Sequence, residues 1–232
     1  MLVNISVPVS WAELTQEQLR YAYFLLSSQH YDPDQIKALC LIRWGKLPDK
    51  VLEAIKPEQL AEFLPMMDWL LTIPQMPVRL NSIQKHDALY DAQLHGLPYQ
   101  SYILIENQYQ GYLHTRDKAC INTIASILYD ADMDLTTTEA YSVFVWVASV
   151  KQLFASRFPN FFVPSAVKND PAVDVHASLV KSMNMQIRAL TKGDITKEKE
   201  ILAMDVWRAL TELDAQAEEY NELKKVYDKH GK

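Results

Sequence analysis

The sequence predicts a mainly α-helical fold of the α+β type, with a minor two- or three-stranded sheet and a long C-terminal helix. Three observations lead to this prediction. Apolar residues recur at three- and four-residue spacing over most of the chain, capping residues precede these segments, and prolines separate them. Alternating apolar residues, which are typical of strands, are confined to 1–9 and 100–114.

Two capped helices are predicted near the N-terminus. Thr15 and Gln18 have the spacing of a capping box, in which each side chain bonds the backbone amide of the other residue. A helix is therefore expected from about Gln16 to Ser28. Asp32-Pro33 places a capping residue before a proline that fits the first helical turn, and Gly45 is placed to end that helix.

The middle of the chain is predicted to be less regular. Short helices are expected after Pro48 and after Pro57, and a helical turn is expected near 82–94. Residues 100–114 are predicted to form two short strands in a β-hairpin, which the N-terminal strand at 1–9 would join.

Further helices are predicted in the second half. One covers 116–129, a second begins at Thr138 and continues through Trp146, and a third begins after Asp170-Pro171. The second has apolar residues nearly all round, so we expect it to be the central buried helix. The last helix is predicted to begin at Thr196 and to be more than 30 residues long.

The domain boundary is placed before this last helix. Residues 1–195 are predicted to form the helical domain, and 196–232 a helix that docks on it or binds a partner. The second half of that helix has a narrow apolar seam at heptad spacing, which favours packing against another helix. An aromatic loop bounded by prolines is a second candidate surface, unless it packs back onto the core. The candidate partner-binding residues are Leu213, Ala217, Tyr220 and Tyr227 in the helix and Phe158, Phe161 and Phe162 in the loop.

Composition limits the classes of function. A net charge of −6 argues against general binding to nucleic acid or anionic lipid. The most apolar stretch, Ala140 to Val150, is about half the length of a membrane-spanning helix, and no signal peptide is expected. Cys40 and Cys120 lie in apolar surroundings typical of buried free thiols. We therefore expect a cytoplasmic protein with no nucleic-acid or membrane partner.

Motifs for catalysis, cofactors or metals are weak. Asp130, Asp132 and Asp134 resemble the start of a calcium loop, but Leu135 and Tyr141 replace the Gly and Glu that such a loop requires. The histidines lack close ligand spacing, so no catalytic residue, cofactor or structural metal is expected. The alternative is an enzyme whose motif-free active site gathers scattered polar residues such as His86, Asp91, His95 and His114.

The opening of the chain carries a family resemblance. Residues 7–15, Val-Pro-Val-Ser-Trp-Ala-Glu-Leu-Thr, resemble the start of small phage and prophage proteins from tail-assembly gene neighbourhoods, which are grouped with tail-assembly chaperones. In that pattern an extended arm leads into a helix with a Thr cap, here Thr15, and Gln18 and Tyr21 fit its interior. The resemblance implies a non-enzymatic protein that binds phage structural proteins.

The leading hypothesis is therefore a protein-interaction or assembly factor, which binds another protein or a second copy of itself. An enzyme is the alternative, and a nucleic-acid-binding protein comes third because of the charge.

Overall fold

The structure, a computed structural model, describes residues 6–50, 56–163 and 175–230. Over these residues the chain is mainly helical, as predicted, with one two-stranded antiparallel sheet. Short 3₁₀ helices lie at Trp11–Glu13, Leu64–Leu71 and Ile195–Lys197. The α-helices are α1 (Gln16–Ser27), α2 (Pro33–Gly45), α3 (Pro57–Ala61), α4 (Tyr99–Thr115), α5 (Lys118–Tyr129), α6 (Thr137–Arg157), α7 (Val175–Thr191), α8 (Glu198–Ala203) and α9 (Val206–His230).

The predicted caps of the first two helices are confirmed. Thr15 Oγ1 accepts the Gln18 amide at 3.3 Å, and the Gln18 side chain accepts the Thr15 amide at 2.9 Å. Asp32 and Gln35 form the same reciprocal pair before α2. This helix ends where predicted, although Lys46 rather than a glycine occupies the left-handed position after it.

The β-hairpin predicted at 100–114 is wrong, because these residues lie inside α4. The buried residues of this helix are Tyr99, Tyr102, Ile105 and Tyr109, and their three- and four-residue spacing follows one helical face. Aromatic and β-branched residues favour strands, but packing of this face against the core outweighs that preference.

The sheet lies earlier, where a helical turn was predicted. β1 (Ser82–Ile83) and β2 (His86–Asp87) form an antiparallel hairpin with a two-residue turn at Gln84-Lys85. Both turn residues have positive φ, at 49° and 70°, as a type I′ hairpin turn requires. The turn is therefore built without the glycine or asparagine that usually announces it.

Three predictions fall partly or wholly on residues outside the described ranges. Of the N-terminal strand at 1–9, residues 1–5 lie outside them and 6–9 form no strand. Most of the helix expected after Pro48 lies at 51–55, outside the described residues. The predicted start of a helix at Asp170-Pro171 also lies outside them.

Helix α6 is the central buried helix, as predicted. Trp146 is only 1% exposed, and buried residues occur on every side of the helix. Its neighbours include α1 and α5.

Cys40 of α2 is buried and free, as expected for a thiol in apolar surroundings. Burial raises the pKa of this thiol to about 12.

Aromatic side chains hold the irregular segment 72–98 against the helices. A loop that packs into a core leaves backbone carbonyls that need donors. Here indole and phenol groups supply them, since each combines a large apolar body with one polar atom. The three bonds run from Trp146 to Ala92, from Trp207 to Gln93 and from Tyr129 to Leu80, at 2.8, 2.9 and 2.9 Å.

The C-terminal region is interrupted at Met204–Asp205, so the long C-terminal helix is present but begins at Val206 rather than at Thr196, and it has 25 residues. The backbone here pairs with the segment before α4 instead of continuing the helix. The Tyr99 amide donates to the Met204 carbonyl at 2.8 Å, and the Val206 amide donates to the Leu97 carbonyl at 2.9 Å. These bonds fix the start of α9 against the body of the protein.

Candidate partner-binding surface

The exposed part of α9 is the main candidate surface. Leu213 is 4% exposed and belongs to the core, and Ala217 is half-buried. Beyond them, Tyr220, Leu223 and Tyr227 are 67, 59 and 75% exposed. We call residues 218–230 the C-terminal arm. The structure therefore places two of the four predicted helix residues, both tyrosines, on an exposed helical face.

The apolar residues of the arm follow one side of the helix. Tyr220, Leu223 and Tyr227 are separated by three and four residues, which places them on the same face. An isolated helix of this length is marginal in water, and most helical stability in proteins comes from packing of an apolar face. A face that gains little packing from its own domain is well suited to a second helix.

The aromatic loop divides into a buried and a half-buried part. Phe158 is 6% exposed and lies edge-on to Trp207 at 5.6 Å between ring centroids. Phe161 and Phe162 are half-buried and contact each other at 4.8 Å. For Phe158 the packed alternative is therefore the one observed.

Asp214 of α9 fixes this loop. Its carboxylate accepts the backbone amides of Asn160 and Phe161 at 2.8 and 2.9 Å, and the Asn160 side-chain amide at 3.1 Å. Bonds to an ionised acceptor are stronger than neutral ones. These bonds therefore hold the loop against the part of α9 that precedes the C-terminal arm.

A small cleft of about 110 Å³ lies beside the loop. Its walls come from α4, from the loop and from α7, and its lining residues are Tyr102, Ile103, Glu106, Phe161, Phe162, Ser182, Met183 and Gln186. The volume suits one side chain of a partner rather than a cofactor, because ligand pockets usually have several hundred cubic ångströms.

Glu106 is the charged residue of this cleft, and it is already paired. Its carboxylate binds the Lys151 ammonium, with both side chains mostly buried, and accepts the Gln110 amide at 2.8 Å. Burial, and then the charge of Glu106, raise the pKa of Tyr102 well above its usual value. The carboxylate of this cleft is therefore paired with a lysine, and its phenol is protonated at neutral pH.

Sequence reasoning missed Glu106 and Tyr102 because 100–114 was interpreted as strands. A helical interpretation would have found them, since Tyr102, Glu106 and Tyr109 are four and three residues apart and share a face.

The polar residues of the enzyme alternative come from different elements of the fold. Asp91 and His95 contact each other, with Oδ2 and Nδ1 2.7 Å apart, and His95 stacks on Trp207 at 4.9 Å. His86 is in β2 and His114 is in the last turn of α4, and both are exposed. None of these four residues lines the cleft beside the aromatic loop.

The acidic loop after α5 is engaged in local contacts. Asp134 binds the Lys118 ammonium at 2.8 Å, which lowers the pKa of its carboxyl group. Within the part of the chain that the structure describes, no group of three or more His, Cys, Asp or Glu residues is arranged to hold a metal ion. None of the helices described there combines the length and apolarity needed to cross a membrane.

The residues of the N-terminal motif have roles in the fold. Trp11 is 7% exposed, and its indole N–H donates to the carbonyls of Trp69 and Thr72 at 2.9 and 3.1 Å. Thr15 caps α1. In this chain the Trp and Thr of the motif therefore anchor the first helix.

Comparison with known proteins gives no relative. No protein-family model matches the chain, and no curated protein or solved structure is significantly similar to it.

Proposed function

We propose that this chain is a non-enzymatic assembly factor that binds another protein through its C-terminal arm. One observation carries the proposal: Tyr220, Leu223 and Tyr227 share one face of a helix and are each more than half exposed. Tyrosine is enriched at protein interfaces because it buries a large apolar ring and still offers a hydroxyl group.

The small cleft beside the aromatic loop also supports a protein-binding role. It is lined by half-buried phenylalanines, it has the size of one side chain, and its charged residue is already paired. Interfaces are commonly anchored by one side chain that fills such a pocket. Asp214 holds the loop against α9 one turn before the arm, and we propose that one partner contacts both surfaces.

The resemblance of residues 7–15 supports a more specific proposal, in which the partners are phage tail structural proteins and the work is done in the cytoplasm. Its test begins with the neighbouring genes. If they encode a major tail protein and a tape-measure protein, each is co-expressed with this chain carrying an affinity tag, and complexes are isolated and sized.

Two matched variants distinguish specific binding through the arm from non-specific binding through any exposed aromatic ring. Tyr220→Ser/Tyr227→Ser removes the aromatic rings of the arm, whereas Phe24→Ser removes a ring that is 52% exposed on α1. We expect the wild type and Phe24→Ser to retain the tail protein and the arm variant to lose it. Equal retention by both variants would exclude the arm as the binding surface, and metabolic neighbours would remove the phage proposal.

A further inference from the structure

The charges of α9 change sign along its length. Residues 212–222 contain five carboxylates and no lysine or arginine, whereas residues 223–230 contain three lysines and one aspartate. Apart from Asp214, which binds the aromatic loop, these carboxylates are exposed, and so are Lys224 and Lys225. The helix therefore presents an acidic half followed by a basic half.

The exposed apolar face spans the point where the sign changes. Tyr220 lies in the acidic half, while Leu223 and Tyr227 lie in the basic half. Acidic residues early and basic residues late also stabilise a single helix through its dipole. That effect needs no apolar residues, so the exposed Tyr and Leu side chains at the junction distinguish a pairing surface from a solvated helix.

We infer that the C-terminal arm pairs with the same arm of a second copy of this chain, in antiparallel orientation. Antiparallel pairing places the acidic half of each arm beside the basic half of the other and also opposes the helix dipoles. Parallel pairing would place like charges next to each other along both halves, and neighbouring like charges repel. The apolar face is then buried between the two helices, as in a short coiled coil.

The expected dimer is weak and sensitive to salt. Only about three turns of each helix take part, and two-helix contacts of this size bury less surface than stable interfaces do. Its charged contacts are exposed to solvent, so added salt screens them. The inference rests on the proposed role of the arm in binding proteins, and it is tested without any other partner present.

Charge reversal provides the test. One variant makes the arm basic (Glu218→Lys/Glu219→Lys/Glu222→Lys), and the other makes it acidic (Lys224→Glu/Lys225→Glu/Lys229→Glu). Self-association of the full chain is measured by sedimentation velocity from about 10 μM to about 1 mM. We expect each variant alone to associate about tenfold or more weakly than the wild type, and an equimolar mixture to recover the dimer.

A third variant with all six substitutions reports the orientation. If the arms are antiparallel, it pairs with itself and not with the wild type; pairing with the wild type instead would overturn the antiparallel arrangement. Circular dichroism of every variant checks that α9 remains helical, and Tyr220→Ser/Leu223→Ser/Tyr227→Ser checks the apolar face without changing charge.

Two results would overturn the inference: a wild-type chain that stays monomeric at the highest concentration, or a mixture of acidic and basic variants that does not associate. Either result leaves the proposed function intact if a tail protein still binds the arm. Conversely, a dimer that forms while no tail protein binds supports self-pairing and removes the phage partner.

Discussion

At the scale of single residues, aromatic side chains have two structural roles in this protein. They fill the core, and they donate hydrogen bonds to backbone carbonyls of the irregular segment 72–98. Trp146 is the clearest case, since it is 1% exposed and its indole N–H reaches the Ala92 carbonyl at 2.8 Å. Its loss would leave both a cavity and an unsatisfied carbonyl.

We predict that Trp146→Ala lowers the free energy of unfolding by about 3–5 kcal/mol. Trp146→Phe is the comparison variant, because it removes the donor but keeps an aromatic ring in the core; it should cost less than the alanine variant. Urea unfolding followed by circular dichroism measures both. A loss below about 1 kcal/mol for the alanine variant would mean that α6 is not the centre of the core.

The contact between Asp91 and His95 gives a prediction for pH. Partial burial raises the pKa of Asp91, but hydrogen bonds and charge from His95 outweigh it, so the net pKa lies below the usual value. A carboxyl group whose folded pKa is lowered stabilises the fold above its unfolded pKa, near 4, and this contribution is lost as the pH falls through the folded pKa.

The stability difference between the wild type and Asp91→Asn should therefore be present above about pH 5 and shrink below about pH 3. It should not exceed about 1 kcal/mol, because the pair is more than half exposed. Urea unfolding at a series of pH values measures it. A difference that is constant across this range would show that the charge of Asp91 does not contribute.

At the scale of elements, capped helices could be predicted from sequence and backbone turns could not. Thr15 and Asp32 predict the starts of α1 and α2, because a side-chain oxygen at the N-cap accepts a hydrogen bond from a free backbone amide of the first turn. The turn at Gln84-Lys85 carries no such signal, since its left-handed residues are held by the surrounding fold rather than by their own preference. The break at Met204–Asp205 likewise depends on pairing with residues 97–99, which no local pattern shows.

Asp205 is the key residue of that break. Its carboxylate accepts the amides of Trp207 and Arg208 at 2.9 and 3.2 Å, which caps α9, and also accepts the Gly96 amide at 2.6 Å. One side chain thus starts the last helix and ties it to the turn before α4.

We predict that Asp205→Ala lowers the free energy of unfolding by about 0.5–2 kcal/mol, the range found for lost helix caps. Asp205→Asn should retain most of the stability, since its amide oxygen can accept the same backbone bonds. Thermal and urea unfolding of the two variants provide the comparison. If asparagine costs as much as alanine, the charge rather than the cap stabilises this end of α9.

At the scale of the whole molecule, the exposure of the apolar side chains rises along α9. The sequence predicted a narrow apolar seam in the second half of the helix, and the side chains of that seam become more exposed toward its C-terminal end. Leu213, the first of the candidate partner-binding residues along the helix, lies in the core, whereas Tyr220 and Tyr227 are exposed. Whether a seam residue packs on its own domain or faces outward depends on where the rest of the chain lies.

This rise in exposure predicts different outcomes for two truncations. Ending the chain after Ala217 removes only the arm, whose residues are largely exposed. Ending it after Glu212 also removes Leu213, which is 4% exposed, and Asp214, whose carboxylate holds the aromatic loop. We expect the first truncation to keep the melting temperature within a few degrees of the full chain. The second should lose about 2–5 kcal/mol from the apolar side chain alone, and more from the unpaired loop amides.

Thermal melts and urea unfolding of both truncated chains decide between these expectations, with near-ultraviolet circular dichroism reporting the packing of Phe158 and Trp207. If removal of the arm alone unfolds the protein, residues 218–230 stabilise their own domain, and a partner-binding role for them loses its basis. If both truncations are as stable as the full chain, the core does not extend to Leu213, because burial of a leucine and three charge-assisted hydrogen bonds cannot be removed without cost.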